Sequence, residues 1–481
     1  MQDTDVSLPR KSTEELGIAA KNVIGFLDGL KAHHIELHSF MLLRHGHVAV
    51  EGWWSPYAPE LPHMLFSLSK SFTSTAIGMA VHEGLLTLDD PVISYFPDDL
   101  PAEVSSNLAA MQIRHLLMMG TGHDKDTMDA LHEAEDGNWV RAFLNEPVDH
   151  EPGTHFLYNT GATYMLSAIL QKATGQNLLE FLHGRLFEPL GIRNPTWETC
   201  PRGIHTGGFG LNVKTEDIAK FGQLYLQKGV WQGKRLIEES WIEEATEKQI
   251  SNGDGGDSDW AQGYGYQFWR CRHGVYRGDG AFGQFCIVLP QYDAVIAMTA
   301  GTNDLQEVLN CVWEHLLDSF LPRPAEADEW SEDLKKRLHE LQLEAPKFAS
   351  ESELEAQISG RVYALEDNET RIDRLRVEFE QDRALLTIDD FHGSHELSLG
   401  REHWLTSSSR LLNRQEGQFA SSFTWKTPQT LLLTLRGIET PFCLTLEMQY
   451  EDENTLDFRQ GINVSFSSSE GDSVRGIALL E

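Results

Sequence analysis

Apolar and polar positions change rhythm along this chain, and the changes mark out its elements. Ser12 to Glu15 reads as a capping box and predicts a helix running through about Leu30. In SFMLLRHGHVAVEGWW two apolar runs flank Arg44-His45-Gly46-His47, the pattern of a hairpin. From Ser67 to about Gly84 the spacing is helical, with Phe72, Ile77, Ala80 and Val81 on or near one face. Helical spacing recurs at Ile113 to Met119, Ala162 to Thr174, Leu178 to Leu186 and Thr215 to Gln227. Strand-like runs then return as GYGYQFWR, GQFCIVLP and AVIAMTAG, and Cys311 to Phe320 closes the region as a helix. Strands, a helical mass, then strands again predict one antiparallel sheet assembled from both ends of the region.

Beyond Pro322 the pattern is different. The segment 323–350 is charged, helical at best and bracketed by prolines, the signature of a linker. After Phe348 the period becomes two: Leu375, Val377 and Phe379 alternate with charges, as do Leu386 and Ile388, and Phe442, Leu444, Leu446, Met448 and Tyr450 form the longest run. Turns such as EDNET, TPQT and EDENT separate these segments. The sequence therefore predicts an α/β (α+β) domain over 1–322 and an all-β sandwich or barrel over 351–481.

Charge narrows the partners. Lys and Arg number 39 against 73 Asp and Glu, a formal net charge of -34, which repels phosphate backbones and anionic lipid heads. Nucleic acid and membrane surfaces are poor partners, which leaves a small molecule or a peptide; a homo-oligomer is compatible with everything above. The five cysteines are scattered and contain no C-x-x-C, so they do not form a disulfide framework, and Cys286 and Cys443 sit within apolar runs as core filler. The first residues, MQDTDVSLPRKSTEELG, hold no apolar signal region, and no stretch has the roughly 18 apolar residues of a membrane span, so the expected location is the cytoplasm.

Three places carry candidate chemistry. In Phe66-Ser67-Leu68-Ser69-Lys70 a serine and a lysine are spaced i, i+3, which puts both on one face of a helix starting there. The first helical turn offers unpaired N–H groups to a developing oxyanion, and burial can lower a lysine's pKa until it serves as the base a serine hydroxyl needs. In Glu151-Pro152-Gly153-Thr154-His155-Phe156-Leu157-Tyr158-Asn159-Thr160-Gly161 a turn delivers Tyr158 just ahead of a helix, where a phenol beside a lysine can move protons. Arg277-Gly278-Asp279-Gly280-Ala281 precedes a strand, and its glycines mark a close approach by a ligand or another backbone. No metal or cofactor is expected: there is no H-E-x-x-H, His132-Glu133 lacks a second histidine in register, and Asp254 to Asp259 misses the EF-hand spacing and reads as a surface loop.

Taken together, in this order and at these separations, the three motifs resemble those of serine β-lactamase and penicillin-binding-protein-like hydrolases, closest to the branch of class C-like esterases and D-amino-acid peptidases. GLLTLDDPV, IRHLLMMGTGH and GGFGLNVKTEDIAKFGQLYL match that branch too, and the likeness spans about 20–320. The resemblance implies that Ser67 is acylated, Lys70 activates it, Tyr158 shares the proton transfer, and the N–H groups of Ser67 and Ala281 form the oxyanion hole. It places Asn159, Thr160, Asp279 and Gly280 at the substrate. Two departures stand out. Thr160 occupies the last place of the family's Tyr-x-Asn motif, and the family's Lys-Thr-Gly or His-x-Gly triplet is Gly278-Asp279-Gly280 here, without its cation. Asp279 would repel the carboxylate of a β-lactam, so an ester or amide is the expected substrate, attacked through an acyl-enzyme. Acyl transfer to an amine, or a catalytically idle ligand-binding protein, are the alternatives. The family likewise implies that the C-terminal barrel is lipocalin-like.

Overall fold

The computed structural model describes residues 7–348, 352–411 and 416–479. The chain divides into two compact units, one of Met1–Gly52, Met64–Ala300 and Asp304–His339, the other of Trp53–His63, Gly301–Asn303 and Glu340–Glu481.

The first unit is built on a six-stranded sheet from both ends of the region. Its strands are β1 (Leu37–Arg44), β2 (His47–Trp53), β3 (Trp269–Arg270), β4 (Tyr276–Gly280), β5 (Gln284–Leu289) and β6 (Ala294–Ala300), in the order β2-β1-β6-β5-β4-β3. The pairings of β6 with β1 and β5, and of β4 with β5 and β3, are antiparallel. The β1–β2 hairpin turns on His45 and Gly46, with φ of 51° and 73°, the left-handed pair a two-residue turn of this hand requires. Strand β1 is buried at every position, so both sheet faces are covered. Phe40 points to helix α1 (Ala20–Ala32), where its ring lies 5.0 Å from that of Phe26. Ser39, one residue earlier, faces the other way and meets Thr215, which opens the helix Thr215–Leu226. On that face Gly222 admits the sheet: a Cβ there would stand 2.6 Å from Val295 Cγ1 and 2.8 Å from Cys286 Sγ.

Two sequence expectations differ from this. The capping box of Ser12 and Glu15 does form, each backbone N–H donating to the other side chain at 3.0 and 3.3 Å. It caps only one turn, because Gly17 is left-handed (φ 64°) and the helix begins later, at Ala20. The charged stretch after Pro322 contains a helix, Glu329–His339, that buries Leu334 and sends Arg337 to Asp28 on α1. The last two residues of that stretch lie outside those described.

In the second unit ten strands form one sheet that curls closed. The strand Val474–Ala478 fits between Val362–Leu365 and Thr455–Ile462, and the seam is a parallel pairing of Gly393–Arg401 with Gly417–Thr427. Nine strands complete the barrel, and Leu405–Ser409 lies alongside the seam on Gly417–Thr427. The period-two residues point inward: Leu375, Leu386, Leu397, Phe423, Leu433, Leu446 and Phe458 share one apolar core. All five cysteines are buried. Among the described residues no helix is long and apolar enough to cross a membrane.

Candidate active site

Ser67 sits in a short 3-10 turn, Phe66–Leu68, that runs into helix α2 (Ser69–His82). Phe66 is held at φ 48°, a left-handed conformation unfavourable for a bulky side chain, and so is Phe282 at φ 65°. Their rings meet edge to face at 5.2 Å. These two strained residues flank the positions named above for the oxyanion hole, Ser67 and Ala281. Gly280 explains how β4 comes so near: a Cβ on it would lie 2.0 Å from the Leu65 carbonyl oxygen and 3.1 Å from Ser67 N. Any side chain there would push the strand off the Phe66–Leu68 turn.

Helix α2 is buried along nearly its whole length. Its hydroxyls satisfy the backbone that surrounds it. Ser69 donates to the Phe66 carbonyl, Ser71 to Gln267, Thr73 to Gly207 and Ser74 to Tyr266, all at 2.6–2.9 Å. The run SLSKSFTST is therefore a set of anchors.

Lys70 is 1% exposed. Its Nζ lies 3.1 Å from Ser67 Oγ, 3.3 Å from Thr160 Oγ1 and 2.9 Å from the Gly208 carbonyl oxygen. Burial drives its pKa down to about 7, against the pull of the Asp126 and Asp279 carboxylates. Lys70 Nζ stands 4.8 Å from the centre of the Tyr158 ring. Trp269 stacks on that ring, their centres 5.3 Å apart. Burial first, then the Asp279 charge, push the phenol's pKa well above its ordinary value, so it stays protonated.

Thr160 thus makes the contact with Lys70 that the third place of the Tyr-x-Asn motif supplies. Asn159 is turned elsewhere: its Oδ1 accepts from Thr127 N–H and Oγ1 at 3.2 and 2.9 Å, which fixes the loop before it. Asp279 is buried and takes the Arg277 Nε–H at 2.9 Å and a hydrogen bond from Trp269. Burial raises its pKa, and Arg277 and Lys70 oppose that rise. Arg277 is itself fully buried over the face of Trp260 and reaches the Asp259 carbonyl and Cys271 Sγ, so the cation is present but behind Asp279.

Sequence reasoning missed two members. Asp126 accepts the Thr160 N–H with both carboxylate oxygens, at 3.1 and 3.0 Å, and its charge reaches Lys70. Gly208 supplies the carbonyl that holds Lys70, and a Cβ there would meet Thr160 Cγ2 at 2.8 Å. The clustered glycines of GGFG were the available signal. Asp259, expected on a surface loop, is instead fully buried, ion-paired to Arg272 at 2.8 Å and bonded by Trp313.

A serine beside a buried lysine and a tyrosine, on a turn packed against an antiparallel sheet, is an arrangement of the β-lactamase type. Residues 25–311 match the family described as Beta-lactamase, and the chain belongs to that family. Its relatives include 6-aminohexanoate-dimer hydrolase of Paenarthrobacter ureafaciens, 25% identical over 287 residues, 55% of this chain and 73% of the relative. Among solved structures, the octameric penicillin-binding protein homologue from Pyrococcus abyssi covers 95% of this chain and 99% of its own, at 14% identity and a TM-score of 0.51. EstCE1, a hydrolase with promiscuous acyltransferase activity, covers 63% and 99%, at 18% identity and a TM-score of 0.51. The likeness to both structures is one of fold.

Proposed function

We propose that this protein is a serine hydrolase that cleaves an ester or amide through an acyl-enzyme on Ser67. The observation that carries the reading is the 3.1 Å approach of Lys70 Nζ to Ser67 Oγ inside a buried site where the amine's pKa falls to about 7. A neutral amine at that distance takes the hydroxyl proton as Oγ attacks the carbonyl. The carbonyl oxygen becomes an oxyanion held by the N–H groups of Ser67 and Ala281. Tyr158, kept protonated, hydrogen-bonds the leaving group and passes it a proton, which Lys70 replaces. Water then enters, loses a proton to the same relay and attacks the acyl carbon; the bond to Ser67 Oγ breaks, the relay returns the proton to Oγ, and the acid leaves.

Asp279 argues against substrates carrying a carboxylate near β4, and so against β-lactams and peptides with a free C-terminus there. Hydrolysis of a neutral ester or amide fits better. The test compares nitrophenyl ester turnover and fluorophosphonate labelling in the wild type and in Ser67→Ala, with intact mass as readout. A single adduct confined to the wild type supports the reading; equal turnover in both proteins removes Ser67 from the chemistry.

A further inference from the structure

Three side chains outside the acyl-transfer site converge from two loops. Asp124, His150 and His155 each place a ligand atom within 4.8 Å of the others, the one such group among the described residues. His150 Nε2 meets Asp124 Oδ1 at 2.5 Å, and the two imidazoles stack at 4.3 Å. We propose that this trio binds a divalent transition-metal ion of the zinc type.

The donor set selects the metal class. Two imidazole nitrogens and one carboxylate suit zinc, cobalt or nickel, whereas calcium and magnesium take oxygen ligands almost alone. Bonds of about 2.0–2.1 Å in tetrahedral geometry need ligand atoms about 3.3 Å apart. Asp124 is exposed and both histidines are partly exposed, so side-chain rotation can widen the 2.5 Å Asp124–His150 approach and close the longer separations. The fourth position is left to water.

The backbone beneath is already organised. Leu157 N–H donates to the Met119 carbonyl at 3.0 Å, Gly153 N–H to Gly120 at 2.7 Å and His150 N–H to Gly122 at 2.9 Å. These three bonds lace the loop carrying Asp124 to the loop carrying both histidines. Gly122 makes the lacing possible, because a Cβ there would stand 2.3 Å from the His150 carbonyl oxygen. The ligands thus sit on two segments held in fixed register, which lowers the ordering cost of binding. The same segments continue to Asp126 and Tyr158, so the ion fastens together the loops that deliver both groups to Lys70.

The test uses the full chain, stripped with a chelator and titrated with Zn²⁺ against a chromogenic competitor, and separately with Co²⁺ by absorption. The wild type takes up one equivalent that His150→Ala/His155→Ala lacks, and His155→Gln weakens that equivalent about 10–100-fold. Hydrogen exchange in 119–124 and 149–157 slows on adding Zn²⁺ to the wild type. Ser67→Ala binds as the wild type does, so the outcome is separate from whether Ser67 is acylated. Should the double variant fail to fold by circular dichroism, His155→Gln supplies the comparison. Uptake unchanged by these substitutions, no equivalent bound by the wild type, or exchange indifferent to Zn²⁺ overturns the proposal.

Discussion

The amine of Lys70 stands 4.8 Å over the ring of Tyr158 and 3.1 Å from Ser67 Oγ. Burial acts on the two in opposite senses. It lowers the lysine to about 7 and raises the tyrosine. A pair of titratable groups driven apart in this way divides into a base and an acid.

The first expected outcome is a pH profile. Ester turnover, as kcat/KM, rises along one limb with an apparent pKa near 7, because only unprotonated Lys70 accepts the serine proton. Tyr158→Phe keeps that limb while turnover falls about 10²–10⁴-fold. A limb near pH 10 that vanishes in Tyr158→Phe would assign the base to the phenol instead.

Asp126 should tune that limb. Its negative charge favours the protonated amine, so its removal lowers the Lys70 pKa further. In Asp126→Asn the ascending limb moves to lower pH. A steady-state profile measured between pH 5 and 9 decides it, and a shift upward contradicts the assignment.

Gly280→Ala probes the close approach of β4. The added methyl would stand 2.0 Å from the Leu65 carbonyl oxygen, next to Ser67 N. The strand must move, at a cost of about 1–3 kcal/mol in stability. Fluorophosphonate labelling should slow by far more than this loss of stability explains, because the oxyanion donors are displaced. Thermal melting and labelling rate, taken on the same sample, separate the two effects.

The buried pair of Arg277 and Asp279 yields a fourth outcome. Asp279→Asn leaves a guanidinium that is 0% exposed without its carboxylate, and costs about 3–5 kcal/mol. Arg277→Met/Asp279→Asn should be less destabilised than the sum of the single changes. Urea melts of the four proteins close the cycle, and additivity would show that the pair is not coupled.

Sequence alone pointed to those members of the candidate site that depend on local spacing. Ser67 and Lys70 lie one helical turn apart, and Tyr158 precedes a helix start, so pattern and chemistry coincide there. Asp126 and Gly208 were hidden because their roles depend on loop closure: they meet Thr160 and Lys70 across 34 and 138 residues of chain. Asn159 misled because adjacency in sequence does not set side-chain direction. Ser12 and Glu15 supplied a true cap but to a single turn, since Gly17 redirects the chain. The barrel was legible from its inward alternation, whereas its parallel seam at Gly400 and Ser422 left no trace in a period-two pattern.

The segment Trp53–His63 leaves the sheet unit and folds with the barrel. There Tyr57 and Leu61 join a cluster with Ala420, Ile438, Leu343 and Trp404, and the Tyr57 hydroxyl donates to the Thr440 carbonyl at 3.1 Å. The polypeptide returns at Met64, and the proposed nucleophile follows three residues later. A gene fragment stopping at Glu340 would encode every residue named at the candidate site, yet would strip Tyr57 and Leu61 of Leu343, Trp404, Ala420 and Ile438 just upstream of it. The two units are thus sewn through one another in the primary structure, and neither can be cut out as a continuous piece with its surfaces intact.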